Sequence, residues 1–538
     1  MVARLGRILL HSLAGGAILA AGTSGSAARD IDDRVPTARS RPPVIVPYGP
    51  SQGDETAPRF VAREPIRTFA RAVEATYHYY PELLSLRASL RGTDNTYARA
   101  RADFGPKISM EASHSYQRDR SEITEDVYVG DQGFSSTGTL ILSQPLLTFG
   151  RNHANQANAL AQIAFARDSL RLREAEVLLA LVNAYIAVIR DTEILAISRE
   201  NLRLLERQAV DNTARFGKRE ITIADLDQVT TRVELGRAQM LAAQGDLATS
   251  RARFMRYTGA EAGELAVPSQ LGLAVTGVDQ ALALAQAAGP TIRAAQSREK
   301  ISRALLAAAK AEVRPRVDLE GSASHGAVSR YNNQLVGTGV KASVIGRLAL
   351  WDSGERSARI REAEEANDAD WRLIDLAARE SRESVMAAWD QWQAARLSLS
   401  HYQGAVRAAE RAYAGSVEQE RAGFRTTLDV LDLARDLLSV RTSFVQAVAT
   451  DLTARAALLA AMGEMEAPRL VPGIEPYDPS EHFRDVARKS DLPLITDSLT
   501  AIDGVLNGDL TSDRPIRDRS ATTAVTPAFP GPVPPPSR

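Results

Sequence analysis

Apolar residues in the middle of this chain recur at steps of three and four. Leu178, Leu181, Val182, Tyr185, Ile186, Val188 and Ile189 form one such stripe, the pattern of a helix with one buried face. No proline interrupts the helical pattern from about Asn152 to Asn212, and Gly354 to Ser416 repeats it. About sixty helical residues reach roughly 90 Å at 1.5 Å per residue. A helix that long cannot sit inside a small globule and must pack sideways in a bundle or tube. Each is followed by a break and a second helix, so long helices are expected over 150–214 and 222–258, then 353–417 and 426–462.

Ahead of each long helix the period shortens to two, with a proline at the strand entrance. Val317, Leu319, Gly321 and Ala323 alternate with Arg316, Asp318, Glu320 and Ser322. Val340, Ala342, Val344 and Leu348 alternate with Lys341, Ser343 and Arg347. Ile108, Met110 and Ala112 do the same against Lys107, Ser109 and Glu111, followed by Leu140 and Leu142. Strands are expected at about 104–118, 135–147, 314–327 and 337–350. One side is small and apolar and the other charged, which suits a barrel strand between lipid and a polar lumen. A soluble hairpin with one wet face gives the same alternation. The polar stretches 117–136 and 325–334 are expected as loops in water.

The order helix, strand, loop, strand, long helix, turn, long helix occurs twice. Pro81 matches Pro290 and Pro106 matches Pro315, both at an offset of 209. Beyond the first loop the offset is 204: Gly150 matches Gly354, Tyr185 matches Trp389 and Gly259 matches Gly463. A five-residue difference in loop length reconciles the two. The first repeat is therefore placed at 60–259 and the second at 260–463. Gly150 and Gly354 mark the strand-to-helix turns, Gly217 and Gly423 the helix-to-helix turns.

The second helix-to-helix break, ERAGFRTTLDVLD at 420–432, carries the most chemistry. Gly423 supplies the left-handed residue that ends a helix. Thr426 or Thr427 caps the next one, with Asp429 in its first turn facing the positive end of the dipole. Asp429 and Asp432 are three apart and so share a helix face.

Composition narrows the function. The 538 residues contain no cysteine, which excludes disulfides, zinc–thiolate sites, cysteine nucleophiles and a lipid-modified N-terminal cysteine. Formal net charge is −1, so no global basic field recruits nucleic acid. The seven histidines show no ligand spacing, and there is no glycine-rich phosphate loop. The acid pairs Asp225–Asp227 and Asp429–Asp432 lack a companion nucleophile, histidine or oxyanion glycine, so neither catalysis nor a cofactor is expected. Residues 1–28 carry Arg4, Arg7, an apolar run and small residues before Arg29, the pattern of a secretory signal peptide. A flexible Pro-rich leader is expected over 29–59 and a mostly disordered Pro-rich tail over 464–538. Beyond the signal no apolar run is long enough for a transmembrane helix, so membrane residence requires a β-barrel.

The duplicated unit, the segments SQPLLTFGRN and LALWDSGERSA, and the turns RFGKREITIADLDQV and ERAGFRTTLDVLDLA closely resemble the TolC family of outer-membrane channel proteins. The resemblance runs from about Phe60 to Gly463. It implies an α+β membrane protein that trimerises. Each chain would give four strands to a twelve-stranded outer-membrane barrel and its helices to an α-helical barrel in the periplasm. The second turn would then lie at the closed periplasmic tip. By position, Arg425 matches the family's gate arginine, Asp429 and Asp432 its ring-forming aspartates, and Asp225 the acid of the first turn. The family's gate tyrosine falls on Glu420, which would repel Asp225 unless Arg421, Lys218 or Arg219 intervenes.

The resemblance also implies partners: two further copies, outer-membrane lipid, a periplasmic adaptor, and an ABC or proton-driven transporter in the inner membrane. Type I protein secretion is the expected task and small-molecule efflux the alternative. A soluble periplasmic helical scaffold is the reading of a different class.

Overall fold

A computed structural model describes residues 64–489 and 493–506. The expected signal peptide, leader and distal tail lie outside the described residues.

Each repeat begins with two short helices: α1 (Phe69–Tyr79) and α2 (Pro81–Ala102), then α5 (Val278–Ala288) and α6 (Pro290–Ala311). Pro81 and Pro290 sit in the first turn of α2 and α6, where the missing N–H is not needed. A hairpin follows in each case, β1 (Lys107–Thr124) with β2 (Val127–Leu147) and β3 (Arg316–Ala327) with β4 (Val336–Arg347). The long helices are α3 (Arg151–Gly217) and α7 (Glu355–Arg421), each of 67 residues, or about 100 Å. They return as α4 (Ile223–Thr258) and α8 (Thr427–Ala461). Gly150 and Gly354 start the long helices at φ 93° and 91°, and the residues before them, Phe149 and Ser353, are also left-handed.

The four strands form one antiparallel sheet in the order β1-β2-β3-β4. Register places Ile108 opposite Leu142, Met110 opposite Leu140, Leu140 opposite Ala323, and Ala323 opposite Val340. One apolar face therefore crosses all four strands, and Val340 is 82% exposed upon it. The other face carries Lys107, Glu111, Glu320 and Lys341. There Arg347 reaches Asp318 at 2.8 Å and Glu320 at 2.6 Å.

The stretch expected as the first loop is strand. β1 and β2 run on as a continuous hairpin to a tight turn where Asp126 has φ 65°. The residues of 117–136 are polar but still alternate, so both faces of the extension are wettable while the backbone pairs. Cross-strand aromatics help, with Tyr116 and Phe134 centroids 4.9 Å apart and His114 stacked on Phe134. β4 ends at Arg347 rather than 350, leaving Trp351 exposed.

The main core lies where the short helices meet the middle of α3. Tyr185 packs edge-on to Phe69 at 5.3 Å, and its hydroxyl donates to the Ala266 carbonyl at 2.7 Å. Arg87 of α2 crosses to Glu174 of α3 at 2.9 Å and also donates to the Tyr77 carbonyl. Burial pushes the Glu174 carboxyl up, opposed by Arg87.

The expected disorder of the tail does not hold over 464–489 and 493–506. Met465, Ala467, Leu470 and Ile474 are buried in this core, and three helices follow: α9 (Ala467–Leu470), α10 (Pro479–Lys489) and α11 (Pro493–Leu506). Prolines here start short helices instead of preventing them. Tyr477 N–H donates to the Tyr77 hydroxyl at 3.0 Å, and Phe483 of α10 packs on Tyr97. The reading of helix hydropathy is also revised. Among the described residues α8 alone has an 18-residue window apolar enough to cross a membrane by length and composition. Its alanine-rich face is packed against α3 and α7, which accounts for that apolarity without a bilayer.

Candidate functional site

The two helix-to-helix turns lie at the same end of the helical hairpins. Each is built by the same device. Thr222 Oγ1 accepts from Asp225 N–H at 3.2 Å while Asp225 Oδ2 accepts from Thr222 N–H at 3.0 Å. Thr426 and Asp429 repeat this at 3.2 and 3.0 Å. These are reciprocal capping boxes, each satisfying two orphan N–H groups of the following helix. The Thr hydroxyls also donate to the carboxylates, at 2.7 and 2.8 Å. These side-chain bonds, then the backbone ones, hold both Asp225 and Asp429 below the ordinary carboxylate value, with Arg425 adding to the effect on Asp429.

The helix ends differ between the repeats. Gly423 is left-handed at φ 76°, and Phe424 N–H returns to the Gln419 carbonyl at 2.9 Å. In the first repeat Gly217 is the last residue of α3, and the left-handed position is Arg219 at φ 63°, with Glu220 N–H returning to the Arg215 carbonyl. Assigning that turn to Gly217 is therefore wrong by two residues. The 204 offset from Gly423 leads to 219, a signal in the sequence that points to the left-handed position. A side chain in this conformation costs about 1–2 kcal/mol.

Thr426, rather than Thr427, is the cap. Thr427 turns to Glu420 and donates to its Oε1 at 2.8 Å. Arg215, in the last turn of α3, places Nη1 3.3 Å from the same Glu420 oxygen and Nε 3.6 Å from Glu220. The cation that answers Glu420 is thus Arg215, one helical turn earlier than Lys218 or Arg219. Arg421 is occupied by Glu418 at 2.9 Å. Arg215 belongs to α3 and not to the turn, so its pairing with Glu420 is set by packing between the helices.

Asp429 and Asp432 share a helix face but not a partner. Asp429 is held by its own cap, whereas Asp432 meets Arg232 of α4 at 3.0 Å. Asp225 is engaged by Thr222, not by Glu420. Further up, Arg237 of α4 meets Glu206 of α3 within the first hairpin, while Arg441 of α8 crosses to Glu200 of α3 and also meets Glu410 of α7 in its own hairpin. Ion pairs thus link the two helical hairpins at several levels, with Arg215–Glu420 and Arg232–Asp432 nearest the turns. Among the described residues no cluster of histidine and acids could hold a metal ion.

The family described as outer membrane efflux protein matches residues 78–260 and 281–464, both repeats and more than half of the chain. The outer membrane efflux protein BepC of Brucella suis is 29% identical over 426 residues, which cover 78% of this chain and 91% of the relative. The alkaline protease secretion protein AprF of Pseudomonas aeruginosa is 24% identical, covering 64% and 74%. The outer membrane protein TolC of Vibrio cholerae is 24% identical, covering 66% and 82%. The fold is shared with the CmeC outer membrane channel of Campylobacter jejuni at a TM-score of 0.64 and 14% identity, over 79% of this chain and 90% of that one. This chain belongs to the outer membrane efflux protein family: it is an outer-membrane channel protein of the TolC type and not an enzyme.

Proposed function

We propose that three copies of the chain close a twelve-stranded barrel and form a passive exit duct. A periplasmic adaptor joins it to an inner-membrane transporter, and the cargo is protein exported by type I secretion. The carrying observation is the sheet. Its apolar face crosses four strands and is open to solvent, and among the described residues the order β1-β2-β3-β4 leaves the outer edges of β1 and β4 without a neighbouring strand. Unpaired edge groups cost several kcal/mol each in hydrocarbon, so the sheet must close with other copies. An exposed face of this kind is also the argument against a soluble scaffold. The aligned 67-residue helices supply the periplasmic tube.

The closed end of the duct is assigned to the two turns. Three copies bring six carboxylates of Asp429 and Asp432 around one axis, a ring that attracts cations. Within each copy Arg215–Glu420 and Arg232–Asp432 tie the two hairpins together, and Arg425 lies beside Asp429. Opening separates these pairs.

Secretion is supported by the relation to a protease secretion protein. Efflux is the second reading, favoured by the higher identity to an efflux protein. Cross-linking in the native cell followed by identification of the co-purified transporter tests the assignment. The secretion reading expects an ABC transporter, and loss of a protein from the medium when this channel is deleted. Capture of a proton-driven transporter, with drug sensitivity and an unchanged secretome, overturns it in favour of efflux.

A further inference from the structure

The two strand-to-helix turns share a backbone but differ in where their carboxylate comes from. In the second repeat Asp352 lies two residues before Gly354. Its Oδ1 accepts from Gly354 N–H at 3.1 Å and its Oδ2 from Arg356 N–H at 3.3 Å, and Arg356 Nε lies 3.1 Å away. In the first repeat the equivalent residue is Thr148, and Asn152 stands where the second has Arg356. The local ion pair is gone.

A carboxylate is nevertheless present. Asp503 of α11, 2% exposed, accepts from Thr148 N–H at 2.7 Å, Phe149 N–H at 2.8 Å and Gly150 N–H at 3.2 Å, and from the Thr148 hydroxyl at 2.8 Å. Left-handed Phe149 and Gly150 turn these N–H groups toward one point at the N-terminus of a 67-residue helix, an arrangement that favours an anion. α11 is held at two further points, both on the N-terminal side of this contact. Asp497 pairs with Arg101 at 2.7 Å, and the Thr500 carbonyl lies 3.0 Å from His153 Nε2.

We propose that α11 is a strap: the C-terminal segment lends the first repeat the capping carboxylate that its own sequence lost, and so fastens the tail to the junction between sheet and tunnel helices. This stands independently of the cargo and of the gate. The second repeat, with Asp352 in place, needs no such strap.

Hydrogen exchange on the full-length detergent-solubilised protein tests it. Asp503→Ala should speed exchange at Phe149, Gly150 and throughout α11 by about tenfold, the loss of a charge-assisted bond. Adding Thr148→Asp should restore protection at Gly150, the equivalent of Gly354, but not at Phe149 or in α11, because the first repeat then carries its own acid in the place of Asp352. Unchanged exchange in Asp503→Ala, or a rise at Gly150 that Thr148→Asp does not reverse, overturns the proposal. If Asp503→Ala does not assemble, Thr148→Asp alone decides. Its carboxylate should take the Gly150 N–H and expel Asp503, raising exchange at Phe149 and in α11 but not at Gly150, and an α11 that stays protected contradicts the strap.

Discussion

Arg215, in the last turn of α3, reaches Glu420 in the last turn of α7 at 3.3 Å, and Thr427 donates to the same carboxylate oxygen at 2.8 Å. An acid at this position is therefore held by a cation and a hydroxyl, not left to repel Asp225. The tie between the two turns is ionic. A partly exposed pair of this kind contributes about 0.2–1 kcal/mol and weakens with salt.

Conductance in a planar bilayer reads this tie. Arg215→Ala and Glu420→Gln should each raise the open fraction a few-fold at low salt, with little further effect in the double variant, because both remove one bond. Asp429→Asn together with Asp432→Asn should weaken block by divalent cations. Additive effects of Arg215→Ala and Glu420→Gln would separate the two residues and remove the tie.

The capping boxes give a pH dependence. Asp225 and Asp429 are held below the ordinary 3.8, so their contribution is full above that value. It is lost as pH falls through the lower folded-state pKa. Exchange at the first turns of α4 and α8 should be constant from neutral pH down to about 5 and accelerate below about pH 3.8 after correction for intrinsic rates. Thr426→Ala should cost about 1 kcal/mol of local protection at neutral pH.

Left-handed Arg219 and Gly423 make opposite predictions. Arg219→Gly relieves a side-chain clash and should stabilise the first turn by up to about 1 kcal/mol, while Gly423→Ala should destabilise the second by about 1 kcal/mol. Local exchange at Glu220 and Phe424 measures both. Equal effects of the same sign would contradict the backbone assignment.

These two turns show how far the sequence was readable. Periodicity and the repeated offset located the long helices, because a 3.6-residue stripe and a duplicated order are local signals. Capping was legible to within one residue, since Thr426 and Thr427 both precede Asp429. The partners were not. Arg215 and Arg232 meet Glu420 and Asp432 across about 200 residues of chain, and nothing local announces such a pairing. The hairpin extension over 117–136 and the folded segments 464–489 and 493–506 were hidden for another reason. Polar strands and proline-spaced apolar residues share their composition with loops; cross-strand pairing distinguishes the first, and packing against Tyr77, Tyr97 and Thr148 the second.

The apolar sheet face is tested by charge. Val340→Arg should cost about 2–4 kcal/mol if the residue lies near the bilayer midplane and should cut outer-membrane yield sharply. Ser322→Arg, on the opposite face, should assemble nearly normally. Equal yields from cell envelopes would place both residues in water.

The mass of the protein extracted from outer membranes tests the trimeric duct most directly. Detergent-solubilised material measured by light scattering, with bound detergent subtracted, should give three times the 58.1 kDa of the full chain, less the small loss on removal of any signal segment. Recovery of a monomer that stays in water without detergent would contradict it.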